Sequence, residues 1–563
     1  MAGRVTSFTI TPGPLTQAFD QSCGQLEQLG FAEALWQKRL DRWTPDPAVQ
    51  QLIANRLGWV NAIDFIDTSR ARLIACADAV RRDGFTDIVL MGMGGSSLAP
   101  EVLRQVLGIA PGSPRLHVLD SVDPDAVRAA TARAGTSLFL LASKSGSTIE
   151  PNVMAAEARR RVTEAGHTNW GARFIAITDN DTVLHRQAVS DGFRDVFVNP
   201  SDIGGRYSAL SFFGMVPAAL IGVDLDAVLG DARTMDAACR TAPVRDNPGF
   251  ALGALMAAGA SNGRDKLTLL LPARLQSLGL WIEQLVAEST GKHGKGIVPI
   301  ADEPREARFG DDRIIVSVSV GDERPDAALV DRARTSGAPF VALHMDDVRA
   351  IGAEFLRWEV ATAAAGRLMA INPFDEPNVQ QAKDATRALL EVFRRAKRLP
   401  FPEPHAEIGG VRLTLSEAAQ TSLNGAPATA YLDATRAGDY VALLAFLPPD
   451  DARFVEPLAS LRARVSSRTG RAMMFGYGPR YLHSTGQLHK GGADNGLFII
   501  ITADADEDLE IPRDSFSFGV LEMAQALGDF QSLDRAGRRA LFVQLPRRDP
   551  RLLDQLAVSL TAR

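Results

Sequence analysis

Five short apolar runs, at 86–91, 116–119, 137–142, 174–178 and 195–199, recur with helical patterns between them. Their apolar character is continuous, not alternating. Strands of that kind are buried on both faces, so the pattern predicts an α/β fold built on a parallel sheet covered by helices. In such sheets a ligand sits beyond the carboxyl ends of the strands. Two turns meet that condition: Gly92-Met93-Gly94-Gly95-Ser96-Ser97 after the first run, and Ser143-Lys144-Ser145-Gly146-Ser147-Thr148 after the third.

A second alternation predicts a second α/β unit, with strands at 266–271, 313–320 and 340–345 and helices at 227–240, 249–260, 275–289, 351–370 and 377–397. A loop rich in Pro, His and Glu at 399–410 separates it from a third, smaller unit with strands at 439–446, 471–476, 496–502 and 540–545. Ahead of the first sheet, 1–45 reads as an extended lead-in with one or two helices, broken near Gly30, and 48–83 as further helix. The expected organisation is a helical lead-in over 1–47, doubly wound parallel-sheet domains over 48–225 and 226–400, and a C-terminal α/β unit over 411–563. The most apolar stretch, 209–223, contains Pro217 and is too short to span a bilayer comfortably, so a buried helix is expected there.

A chain of 563 residues at 46% apolar and 23% charged has material for several cores. Its net charge of −6, from 61 basic and 67 acidic residues, argues against a nucleic-acid-binding surface. A local basic pocket for an anionic metabolite remains open. Cys23, Cys76 and Cys239 are far apart, without metal-ligand spacing or a disulfide framework, which fits a reducing cytosol and a cytoplasmic protein. No signal peptide is evident, and no internal repeat or low-complexity run.

The 143–148 turn joins a buried strand to a helix start. It gathers hydroxyls and backbone N–H groups where the helix dipole is positive, as a phosphate dianion requires. The alternative is a plain polar turn with a helix cap. Its spacing does not fit G-x-x-x-x-G-K-[ST], so no nucleoside triphosphate is read here. The 92–97 turn brings Gly95 and Ser96 close to any ligand but lacks the sixth-position glycine of a dinucleotide loop. Gly204-Gly205-Arg206-Tyr207-Ser208 holds a guanidinium against a tight backbone, fit for an oxyanion unless it is merely a surface arginine. Gln284 and Glu288 lie near a helix end, where the dipole disfavours the Glu288 carboxylate. Lys292, His293 and Lys295 follow. Asn372-Pro373-Phe374-Asp375-Glu376-Pro377 leads into a helix, with Pro377 suited to its first turn and Lys383 within it.

Together, G-x-G-G-S-S, S-K-S-G-S-T-x-E-P, G-G-R-Y-S, A-E-S-T-G-K and N-P-F-D-x-P-x-V-x-x-x-K, in this order over about residues 50–400, resemble the glucose-6-phosphate isomerase family. The resemblance implies two sugar-isomerase domains. It implies a sugar phosphate held by Gly95, Ser96, Ser143, Lys144, Ser145, Ser147, Thr148, Gly205 and Gln284. Glu288 matches the family's base, which carries a proton between C2 and C1, and Arg206 would stabilise the enediolate. Lys383 matches the lysine at the ring oxygen. No metal or cofactor is implied, and a homodimer with shared sites is. Two departures stand out. Glu376 replaces the family's usual Gln and should repel an anionic substrate unless paired. The L-H-S-x-G-Q motif of the ring-opening histidine, Leu482-His483-Ser484-Thr485-Gly486-Gln487, follows Lys383 instead of preceding it. That order resembles the isomerase half of transaldolase–glucose-6-phosphate isomerase fusion proteins. It favours His483 over His293 and requires the C-terminal unit, of this subunit or a partner, to close over the pocket. A transaldolase domain in a longer native chain is compatible with this order. Two other functions remain open: a pocket that also accepts mannose 6-phosphate, with Thr485 leaving room, and a non-catalytic sugar-phosphate sensor.

Overall fold

The computed structural model describes residues 6–241, 243–449 and 451–562. The lead-in opens with a strand, β1 (Ser7–Thr11), followed by the helices Thr16–Gln28 and Phe31–Trp36 on either side of Gly30. The region read as continuous helix over 48–83 is two helices, Pro47–Ala54 and Ala62–Arg82, joined by a tight turn around Gly58.

The first sheet contains β2 (Asp87–Met91), β3 (Arg115–Leu119), β4 (Ser137–Ala142), β5 (Phe174–Asp179) and β6 (Asp195–Asn199), all parallel, in the order β3-β2-β4-β5-β6. Every residue of β2, β4 and β5 is buried, as their unbroken apolar runs require. β3 follows β2 on one side and β4 returns to its other side. The connections therefore diverge between β2 and β4, leaving a crevice at their carboxyl ends. Both turns singled out in the sequence open there.

The second sheet contains β7 (Lys266–Leu270), β8 (Val298–Ile300), β9 (Arg313–Val320) and β10 (Phe340–Met345), parallel in the order β8-β7-β9-β10. β1 adds to its edge antiparallel to β10, Ser7 opposite His344. The third sheet contains β11 (Ala406–Ile408), β12 (Val411–Leu415), β13 (Tyr440–Phe446), β14 (Ala472–Tyr477), β15 (Gly496–Ala503) and β16 (Arg539–Leu545). β13 to β16 are parallel in the order β14-β13-β15-β16, and β12 and β11 extend the edge antiparallel.

Helix Phe212–Leu220 is buried along its whole length. Among the described residues no helix is long and apolar enough to cross a membrane. Helix Val379–Ala396 begins two residues after Pro377, which therefore lies in the preceding turn and not in the helix. Burial pushes the Cys23 thiol up to about 12 and that of Cys76 to about 11.

The third sheet is packed into the rest of the chain. One apolar cluster joins Val89 and Phe139 of the first sheet to Tyr440, Phe498 and Phe542 of the third. Ion pairs cross the same boundary. Arg480 makes two 2.8 Å bonds to the Asp120 carboxylate, and Arg548, wholly buried, pairs with Asp123 and, at 2.7 Å, with Asp125. Arg462 reaches Asp302, beyond β8, at 2.7 Å. Removing one partner of a buried pair strands the other's charge, so these contacts fix how the three sheets meet.

Candidate active site

The site forms where loops from all three sheets converge. After β2, Gly94 adopts φ +53, and a Cβ there would lie 2.5 Å from the His483 carbonyl oxygen. At Gly95 a Cβ would lie 2.0 Å from the carbonyl oxygen of Gly205. The two glycine motifs are therefore one feature in space: a pair of backbones too close for side chains, bringing Ser96 and Arg206 to the same cavity.

After β4, the Ser143 hydroxyl accepts the Gly146 N–H at 3.1 Å and closes the turn. Ser145 and Ser147 hydroxyls are 2.9 Å apart. Thr148 occupies the cap position of helix Ile149–Glu164, yet its hydroxyl makes no capping bond and its side chain lines the cavity. That weighs against a plain capped turn. Lys144 is held by Asp179 and, at 2.8 Å, by the Ser201 carbonyl.

Arg206 is 4% exposed and fully engaged. Its Nε donates to Ser289 Oγ at 2.9 Å, one terminal nitrogen donates to Glu376 at 3.0 Å, and the other to the carbonyls of Pro373 and Asp375 at 2.9 Å. The Glu288 carboxylate lies 3.2 Å from the same guanidinium. Glu376 is thus paired, which answers the repulsion expected from an added carboxylate. Burial would raise its pKa, but Arg206 outweighs that and holds it below the usual carboxylate range. Glu288 moves the other way. Burial raises its pKa, Arg206 opposes the rise, and Glu376 adds to it. Lys292, wholly buried, donates to Asn372 O at 2.8 Å and Asp375 Oδ1 at 2.7 Å; burial, helped by Arg206, pushes it down to about 8.

Gln284 donates to Glu288 at 3.0 Å and to the His483 carbonyl at 2.9 Å, tying the second sheet's helix Gln276–Thr290 to the C-terminal loop. Gln487 anchors that loop from its other end, accepting the Asn378 N–H at 2.8 Å and donating to Gly291 O at 2.9 Å. His483 Nε2 is 2.8 Å from Glu150 Oε1, and Gln525 donates to the same oxygen at 2.6 Å. Glu150 is 3% exposed. Burial would raise its pKa, but His483 prevails and holds it low. Against an ionised carboxylate Nε2 carries the hydrogen, which leaves Nδ1 as the proton-accepting nitrogen of the neutral ring.

Gly95, Ser96, Ser143, Lys144, Ser145, Thr148, Gly205, Arg206, Gln284, Glu288, Lys383 and His483 all line one cavity of about 510 Å³. Ser147 faces an adjoining chamber of about 310 Å³, which shares Thr148, Lys383 and His483 with the first. His293 is exposed at φ +56 and lines neither. Thr485, on which a roomier sugar pocket would draw, faces a separate cavity. Glu150 was not singled out from the sequence. A glutamate in the first turn of a helix is explained by the dipole alone, and nothing local in S-T-I-E-P points to a histidine 333 residues away.

A hydroxyl-lined anion turn, a buried carboxylate beside a fixed guanidinium, and a histidine aligned by a second carboxylate define an α/β protein equipped for proton transfer on a small phosphorylated molecule. The fold is similar to that of a hypothetical protein from Thermus thermophilus (TM-score 0.58, 23% identity, covering 68% of this chain and all of that one). It is also similar to a glucose-6-phosphate isomerase from Chlamydia trachomatis (TM-score 0.55, 17% identity, 69% of this chain and 89% of that one). The phosphoglucose isomerase family model matches residues 78–308. In sequence the chain is 31% identical to the glucose-6-phosphate isomerase of Parasynechococcus marenigrum over 405 residues, 64% of this chain and 72% of that protein. It is 27% identical to that of a Geobacter species over 423 residues, 67% of this chain and 78% of that protein. The chain belongs to the glucose-6-phosphate isomerase family.

Proposed function

We propose that the protein is a glucose-6-phosphate isomerase, interconverting glucose 6-phosphate and fructose 6-phosphate through a cis-enediol in glycolysis and gluconeogenesis. The observation that carries this reading is that Glu288 lines one cavity with Ser143, Ser145, Thr148, Arg206, Lys383 and His483.

In this reading the turn after β4 grips the phosphate dianion, and binding energy from that remote group orients the reacting end. His483, aligned by Glu150, and Lys383 move protons at the ring and carbonyl oxygens to open the ring. Glu288, as the carboxylate, takes the proton from C2 of the aldose, and the electron pair of that C–H bond becomes the C1–C2 double bond of the enediol. The carbonyl pair moves to O1, which takes up a proton; return of the carried proton to C1, with loss of the proton on O2 as the C2 carbonyl forms, gives the ketose. Burial favours this role, because a base with a raised pKa holds the proton more firmly during transfer. The Arg206 hydrogens are committed to protein acceptors, so the guanidinium acts on enediolate charge through its field in a water-poor pocket.

Residues 48–225 and 226–400 are taken as the two sugar-isomerase domains and 411–563 as the unit that closes their shared cavity. Motif order relates the chain to the isomerase half of transaldolase fusion proteins, and the mass of the native protein tests whether such a domain accompanies it. A cytoplasmic homodimer follows the family resemblance, with light scattering as its test. A coupled assay on fructose 6-phosphate should show turnover insensitive to chelator. Glu288→Gln should bind sugar phosphate nearly as the parent does while kcat falls by about 10²–10⁴-fold; a variant that turns over at the parent rate removes Glu288 from this role.

A further inference from the structure

A second cavity, of about 560 Å³, lies on the far side of the loop that carries His483. Residues Arg480, Ser484 and Thr485 line it, and it is closed by helix Leu98–Leu107, helix Gln276–Thr290 and the end of β14. None of its polar groups is used in the proposed chemistry.

Two groups in it lack what buried polar groups ordinarily have. Ser277 is 4% exposed and faces the cavity, and its Oγ has no hydrogen-bond partner. Such orphaned groups cost free energy unless something fills the space beside them. Glu283 is 6% exposed, and its one hydrogen bond is accepted from the Ala301 N–H at 3.0 Å. Among the described residues no ion pair engages it.

The other charges around the cavity are matched. Glu101 is paired with Arg104 at 2.6 Å, Asp120 with Arg480, and Asp302 with Arg462. Among the described residues lining the cavity, that leaves Glu283 as the carboxyl in no ion pair, acted on by the Arg462 charge only at a distance. Phe475 and Tyr477, whose ring centroids are 4.9 Å apart, add aromatic surface to the same wall. An anion entering here would meet Glu101, Asp120, Glu283 and Asp302 with every arginine already taken. A cation would balance Glu283 once that carboxyl ionises, beside an aromatic wall on which the Arg462 guanidinium already stacks, 4.9 Å from the Phe475 centroid.

We infer that this cavity is a second ligand site, separate from the sugar-phosphate site, and that it takes a small organic cation bearing an ammonium or guanidinium group. Glu283 receives the charge and Ser277 a hydrogen bond. With no ligand bound, burial, opposed by the Ala301 N–H and Arg462 and helped by Asp302, pushes the Glu283 carboxyl up to about 8, so near neutrality it is protonated and the remaining charges around the cavity are paired. A cation needs the carboxylate, so its affinity must rise as pH rises through that value.

The test is calorimetric titration of the full chain with agmatine and spermidine, with sorbitol as the uncharged probe and citrate as the anionic one. Agmatine or spermidine should bind saturably, and at least about fivefold more tightly at pH 9 than at pH 6.5. Glu283→Gln should weaken that binding at least about tenfold. Gln105→Trp, on the exposed rim, should block it without touching the core. Glu283→Gln should melt no lower than the parent at pH 9, since it removes a carboxylate buried without a cation. Three results would overturn the inference: no binding of either cation up to about 10 mM, binding indifferent to both variants, or tighter binding of sorbitol or citrate at this site.

Discussion

The Glu288–Arg206–Glu376 cluster gives the site its acid–base character. Glu376 pushes Glu288 upward while Arg206 restrains both. If Glu288 is the base proposed above and acts as the carboxylate, kcat/KM should fall as pH drops through its raised pKa. Glu376→Gln removes a negative neighbour, so the acidic limb should move to lower pH. A pH–rate profile of the two proteins checks this, and an unmoved limb would mean that Glu376 does not act on the base. In the proposed mechanism Glu150 positions His483, 2.8 Å away. Glu150→Gln keeps the shape but gives up the ionic alignment of His483, and turnover of ring-closed substrate should fall about tenfold or more. Open-chain substrate should be spared, whereas equal loss on both would point to a merely structural role. The residues bearing hydroxyls and charges in tight motifs were legible in the sequence. Glu150 was not, because its partner is remote and its own position has an ordinary explanation. The pairing of Glu376 was equally hidden, since it depends on a guanidinium 170 residues earlier.

At the level of elements, the longer strands buried on both faces declared themselves, whereas β8, wholly buried but only 3 residues long, did not. β4, β6, β9 and β10 begin and end where their apolar runs do. The antiparallel strands at the sheet margins escaped as well. β1 alternates Ser and Thr with Phe and Ile, and only one of its faces is covered, so it read as a lead-in. β11 lies within a Pro-rich loop, and β12 follows it across Gly409-Gly410; both pair antiparallel, a geometry the βα alternation does not signal. The three sheets share one order, β3-β2-β4-β5, β8-β7-β9-β10 and β14-β13-β15-β16, although no repeat is visible in the sequence. Order is set by connection handedness and burial, which many sequences satisfy. The contact between the Gly95 and Gly205 loops yields the sharpest prediction here. Gly95→Ala places a methyl group against a backbone carbonyl that cannot swing away. Stability should fall by about 3 kcal/mol or more, seen as a lower melting temperature, with activity lost as Ser96 and Arg206 separate.

Over the whole molecule, Glu288, Arg206, Lys383 and His483 of one chain line the same cavity, His483 arriving from the C-terminal unit together with Gln525, which bonds its glutamate partner. Sites shared between subunits behave differently from sites complete in one chain. Mixing Glu288→Gln with His483→Ala protein, after dissociation and reassociation, should restore no activity. Recovery towards a quarter of the parent rate would show that partners exchange His483. The closing position of the C-terminal unit was foreseeable from motif order. The apolar cluster and the Arg548 and Arg480 pairs that seat it were not, since the cluster joins separate sheets and the two pairs span 425 and 360 positions.

That separation also orders events during synthesis. The hydroxyl-lined turn after β4 and the Glu288 carboxylate leave the ribosome well before His483 and the glutamine that bonds its glutamate partner, which follow about 200 residues or more later. A stalled or truncated product should therefore retain sugar-phosphate contacts without turnover, and the apolar side of the first sheet, awaiting its cover, is where chaperones would have to hold the growing polypeptide.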